Sequence, residues 1–152
     1  DVLLLLLDSG AAVNHANNDG FTPLFIAALQ GHLDVVQLLL DRGAAVNQAS
    51  NVGLTPLCMA AQKGHLDVLQ LLLDRGAAVN QASNAGFTSL FAASCSSLFT
   101  ASCFGHLEMV RLLLDRGADV TVGAFQHRNV RGFAIPRGHA VGAELVAASQ
   151  EA

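Results

Sequence analysis

A 33-residue period constrains this chain more than any other feature. Gly20, Gly53 and Gly86 stand 33 apart, as do His32 and His65, Gly43 and Gly76, and Asn14, Asn47 and Asn80. A fixed period between about 20 and 50 residues marks an array of stacked supersecondary units, none of which can bury its apolar face alone. Such arrays present surface more often than they perform chemistry, so the period bears on function as well as fold.

One unit shows how the sequence builds it. Thr22 is placed to cap a helix whose first residue is Pro23, where a missing N–H costs nothing. Gly31 supplies a left-handed stop about two turns later. A second helix is predicted from Leu33, with Val36, Leu39 and Leu40 on one face. Asp34 falls in its first turn and Arg42 in its last, both favourable to the helix dipole. Gly43 ends it, and Ala44 to Val52 reads as a turn-rich connection to Gly53.

This helix–turn–helix unit with its hairpin resembles the ankyrin repeat, whose motif runs G-x-T-P-L-H-x-A-A, then G-H, L-L and G-A-x-V-N. The unit from Gly53 matches through Thr55-Pro56-Leu57, Ala60-Ala61, Gly64-His65, Leu72-Leu73, Gly76-Ala77 and Val79-Asn80. The motif histidine is replaced by Phe25, Cys58 and Phe91, and Ser89 replaces the helix-starting proline of the third unit. The resemblance implies an all-α repeat solenoid of stacked helix–turn–helix units joined by β-hairpin-like loops. It covers residues 1–122: a partial unit at 1–19, units at 20–52 and 53–85, and a unit at 86–122 that carries an insertion. Residues 123–152 form a degenerate C-terminal segment, with a worn repeat expected at 138–150, where Gly138-His139 falls 33 residues after Gly105-His106.

The insertion breaks the period, since His65 and His106 are 41 apart. It is a tandem copy: Ser89-Leu-Phe-Ala-Ala-Ser-Cys95 precedes Ser97-Leu-Phe-Thr-Ala-Ser-Cys103. Eight residues turn a helix by roughly 800°, about 80° off whole turns, so one continuous helix cannot put both copies on the same face. The second copy is expected to pack, because its link to Gly105-His106 keeps the normal length, and the first to be displaced. At the other end the chain opens inside a second helix, with Asp1 to Gly10 aligned on Asp34 to Gly43. It reads as a fragment of a truncated array.

Chemical sites find little support. Stacked helices lie roughly 8–10 Å apart, while nitrogens sharing a zinc ion sit about 2 Å from it. His32, His65 and His106 therefore cannot meet on one ion, and their expected role is to start the second helices. His15, His127 and His139 have no ligand partners at metal spacing. Cys95 and Cys103 would be about 12 Å apart along a helix, beyond disulfide reach. No phosphate-binding glycine loop, carboxylate pair or nucleophile elbow occurs. The chain reads as non-enzymatic, with no catalytic residues, cofactor or metal.

Composition narrows the partners. Net charge is −4 without a basic stripe, which argues against nucleic acid. The longest strongly apolar run, Val2 to Leu7, is far short of the roughly 20 residues that span a bilayer, which argues against a membrane. Three cysteines without a framework spacing suit reduced thiols, hence the cytoplasm or nucleus. The resemblance implies a protein partner docking on hairpin tips and the concave face of the first helices. The matching positions are Asn18, Asp19, Phe21, Leu29 and Gln30; Asn51, Val52, Leu54, Gln62 and Lys63; and Asn84, Ala85 and Phe87. Phe21, Leu54 and Phe87 form a ladder that either meets the partner or only packs against the next hairpin. The leading reading is an interaction module of a scaffold or adaptor, marginally stable and monomeric. The alternative is a regulatory segment of a larger enzyme or channel. A third reading, suggested by near-identical residues 43–50 and 76–83, is a recently duplicated, decaying reading frame without a selected partner.

Overall fold

The computed structural model of the chain describes residues 2–89 and 103–119. Most of the doubled segment and the worn repeat at 138–150 lie outside the described residues, as does the choice between packed copies. The described residues form six helices: α1 Val2–Asp8, α2 Pro23–Gln30, α3 Leu33–Asp41, α4 Pro56–Lys63, α5 Leu66–Asp74 and α6 Cys103–Asp115. The described residues contain no strand, so the chain is an all-α repeat solenoid.

Local chemistry sets the helix ends. The Thr22 hydroxyl accepts from Phe25 N at 3.1 Å and the Thr55 hydroxyl from Cys58 N at 3.2 Å, each just ahead of a proline. These bonds satisfy donors that a helix start leaves orphaned. The second helices end alike: Gly43 N donates to Leu40 O and Ala44 N to Leu39 O, the pattern that a left-handed residue after the helix permits. The same pair of bonds follows α1, α5 and α6.

One core runs through the stack. Val36 and Leu39 of α3, Val68 and Leu72 of α5, and Met109 and Leu113 of α6 are buried together with Leu24, Ala28, Leu57 and Ala61 of the first helices. Leu39 and Leu72 thus belong to adjoining layers of one stack. The alanines keep α2 and α4 close, since side chains of one carbon leave little between the backbones.

Hydrogen-bond and ion-pair ladders join the layers. Asn14 Oδ1 accepts from Ala45 N, Asn47 Oδ1 from Ala78 N and Asn80 Oδ1 from Asp119 N, each at 2.7 Å. Their amide nitrogens donate to Gly43 O, Gly76 O and Gly117 O. These asparagines tie each connection to the next unit. Arg42 pairs with Asp8, Arg75 with Asp41, and Arg116 with Asp74.

Two expectations need correction. Arg42 stands after α3 rather than in its last turn, and its guanidinium bridges to the preceding unit. His32 and His65 stand at the starts of α3 and α5 as expected, and the His65 ring also reaches back to the preceding unit, its Nε2 3.2 Å from Leu29 O. His106 does not start the last helix, because α6 begins at Cys103 and runs through Gly105 and His106. Ser89, at the head of the first copy, is buried beside Thr88, in the place Pro56 takes beside Thr55.

Candidate functional site

The hairpin tips are built by short polar side chains. Asn17 Oδ1 accepts from Asp19 N and Phe21 N, the Ser50 hydroxyl from Leu54 N, and the Ser83 hydroxyl from Phe87 N. Main-chain bonds close each tip, with Ser50 N donating to Leu54 O and Gly53 N to Ser50 O. Neighbouring tips then join edge to edge. Asn51 N donates to Asp19 O and Asn84 N to Val52 O, both at 3.0 Å. Asn51 Nδ2 donates to Asn18 O at 2.8 Å and Asn84 Nδ2 to Asn51 O at 3.1 Å.

This arrangement sorts the sequence-predicted positions. Asn18, Asp19, Asn51, Val52, Asn84 and Ala85 are exposed at the tips, and Gln30, Gln62 and Lys63 are exposed on the first helices. The amide nitrogens of Asn51 and Asn84 are committed to the preceding tip. Val52 is the one large apolar tip residue well out in solvent, 55 % exposed. Phe21, Leu54 and Phe87 are half-buried. Phe21 and Leu54 pack, together with Leu29, against Phe25, Cys58 and Met59. The Phe21 ring lies face to face on that of Phe25, centroids 4.5 Å apart. Their ladder is therefore a floor under the tips rather than a free apolar strip.

Two features were missed by sequence reasoning. One is the consumption of tip amides by their neighbours, which depends on contacts 33 residues away in sequence. The other is an open groove of 530 Å³ at the upstream end of the stack, lined by Pro23, Ile26, Ala27, His32 and Val35 among others. The half-unit at the N-terminus was the available signal for it.

Charged and nucleophilic groups here serve the stack. The Gln37 amide and then the Arg75 guanidinium hold the Asp41 carboxyl below its ordinary range, and Gln70 and Arg116 do the same for Asp74. Burial pushes the Cys58 thiol up, away from the thiolate a nucleophile needs. Among the described residues, no three His, Cys, Asp or Glu side chains gather as a metal site, and no helix is long and apolar enough to cross a membrane.

Stacked helix pairs with joined tips define a helical repeat stack. Comparison with protein families places it more closely. A model described as ankyrin repeats (3 copies) matches residues 43–124, and one described as ankyrin repeats (many copies) matches residues 4–57. The first spans more than half of the chain, which belongs to the ankyrin-repeat family. Ankyrin repeats are generally protein–protein interaction modules and generally non-catalytic. No curated protein matches the chain.

Proposed function

We propose that this chain is the protein-binding part of a scaffold or adaptor, gripping its partner through the tips and the adjoining ends of the first helices. Asp19, Val52 and Ala85 form the outer row and Gln30, Gln62 and Lys63 the inner one, over the half-buried floor of Phe21, Leu54 and Phe87. The carrying observation is the exposure of Val52 at the central tip, fixed in place by main-chain bonds of its unit and the next. An apolar side chain held rigidly in solvent and rimmed by polar groups suits the centre of an interface. It loses little conformational freedom on binding, because its backbone is already ordered. The buried free thiol of Cys58 suits a reducing compartment, and we assign the module to the cytoplasm or nucleus, as a monomer.

The test is affinity capture with the full chain, its Val52→Glu/Lys63→Glu variant and an opposite-face control, Asp34→Lys/Asp67→Lys. The reading expects a protein retained by the parent and the control but lost by the tip variant, with unchanged melting temperatures. Retention by the tip variant together with loss by the control would refute it.

A further inference from the structure

Every arginine among the described residues is held by a carboxylate: Arg42 by Asp8, Arg75 by Asp41, Arg116 by Asp74 and Arg111 by Glu108. Lys63 is the exception. Among the described residues it is the one Lys or Arg side chain outside an ion pair, and it is exposed at the end of α4. The acids of the two intact units stand on the other helices, Asp34 and Asp41 on α3, Asp67 and Asp74 on α5. Neither α2 nor α4 carries one. The positive charge of Lys63 therefore faces solvent on a side of the stack that has no acid on its helices.

Stacking does not call for this lysine. A cation in a last turn suits the helix dipole, yet α2 ends on Gln30 at the same position, with the same length and the same glycine stop. Around Lys63 the surface is apolar or neutral. Gln62 is exposed beside it, Leu54 is half-buried, and Val52 and Ala85 are exposed at the adjoining tips. At about 1.5 Å of rise per residue, Lys63 lies roughly 10 Å beyond Pro56 at the tip end of α4. One unit upstream, the place of Val52 is taken by the exposed Asp19, so the sign of the charge reverses along the row of tips.

This inference rests on the partner grip proposed above and gives the partner its chemistry. We infer that the occupant of this face is an acidic polypeptide segment, with an apolar side chain on Val52 and a carboxylate on Lys63. An extended chain covers that span in three or four residues. Asp19 repels the acidic end from the upstream tip, which fixes the direction of the segment across the face. Apolar contact supplies most of the attraction, while an exposed ion pair adds little energy and selects among partners. A single lysine suits a carboxylate; a nucleic acid is held by several cations along its phosphates.

The probe is a phage-displayed library of random peptides about a dozen residues long, selected on the full chain. Enriched sequences should place Asp or Glu three or four positions from an apolar residue, and selection on the Lys63→Glu variant should exchange that acid for Lys or Arg. One enriched peptide is then synthesised and titrated by fluorescence anisotropy. Its binding should weaken about fivefold or more on Lys63→Glu, persist on Lys63→Arg, and fade as salt rises. Lys63→Gln gives α4 the residue that α2 already carries and should weaken binding less; unchanged melting curves verify the fold of each variant. A peptide lost on Val52→Glu but indifferent to Lys63→Glu would overturn this inference and leave the partner grip standing. Indifference to both substitutions, or no enriched sequence, would overturn both. Displacement of the peptide by single-stranded DNA would overturn the inference alone, because the anion recognised would then be phosphate.

Discussion

Replacing Gly31 by alanine probes the contact between units more sharply than any core truncation. Gly31 ends α2 with φ 75°, a left-handed conformation that costs an L-residue about 1–2 kcal/mol. A Cβ built there would lie 2.5 Å from His65 Nδ1 and 2.6 Å from its Cε1. The ring cannot give way freely, because its Nε2 is 3.2 Å from Leu29 O. Swinging it aside forfeits that bond, about 1 kcal/mol. The sum for Gly31→Ala is about 2–3 kcal/mol. Gly43 is the control, since its φ of 85° imposes the same backbone strain but nothing lies within 4 Å of a Cβ there. Gly43→Ala should therefore cost only about 1–2 kcal/mol. Urea unfolding followed by far-UV circular dichroism measures both, and a cycle with His65→Ala isolates the clash. In that background the two glycine substitutions should cost the same. Equal costs with His65 in place, or an excess at Gly31 that survives its removal, would refute the reasoning.

Three further predictions rest on the same geometry. Asp41 and Asp74 are held below the ordinary carboxylate value of 3.8 by their glutamine and arginine partners, so their contribution is complete above that value and lost as pH falls through the lowered ones. Stability measured by urea unfolding should decline below about pH 4, and the double substitution Asp41→Asn/Asp74→Asn should flatten that decline; an unaltered acid slope would contradict the assignment. In a Cys95→Ser/Cys103→Ser background, Cys58 should resist a disulfide reagent until the chain unfolds, because its thiol is buried and pushed up; labelling at the rate of a free thiol would contradict this. Deleting residues 89–96 restores the 33-residue period and should raise the melting temperature; no change or a fall would show that the doubled segment is not a defect in the stack.

How much of this was legible in the sequence follows from how far each interaction reaches. The Thr-Pro starts and the glycine stops act within one or two turns, so Thr22, Pro23, Gly31 and Gly43 announced α2 and α3 correctly. The repeated asparagines mark the period, while their bonds to the next unit appear only in the structure. Arg42 misled, because its side chain serves the preceding unit across a gap of 34 residues rather than its own helix. The start of α6 misled for a different reason. The Gly-His pair that closes α2 and α4 lies inside α6, so it ends no helix there. The outcome downstream is nonetheless regular: Arg116 meets Asp74 and Asn80 meets Gly117, just as Arg75 meets Asp41 and Asn47 meets Gly76. The extra length is absorbed before Met109, whose side chain is already in the core.

The two intact units carry a further argument about binding. Residues 20–52 and 53–85 differ at only seven of 33 positions. The exposed second-helix residues Asp34 and Asp67, the half-buried Gln37 and Gln70, and the exposed connection residues Ala45 and Ala78, are unchanged between them. Random divergence after duplication would have altered such positions as readily as any other. Six of the seven differences instead fall on the first helix and the tip: 21 and 54, 25 and 58, 26 and 59, 29 and 62, 30 and 63, 52 and 85. Stacking does not require this, since the ladder residues that join the layers are the same in both units. The side that varies is the one that carries the candidate partner positions, with Leu29-Gln30 becoming Gln62-Lys63 and Val52 becoming Ala85. A surface that changes its chemistry from unit to unit over a fixed frame is what recognition of one asymmetric partner needs, and it counts against a decaying frame without one.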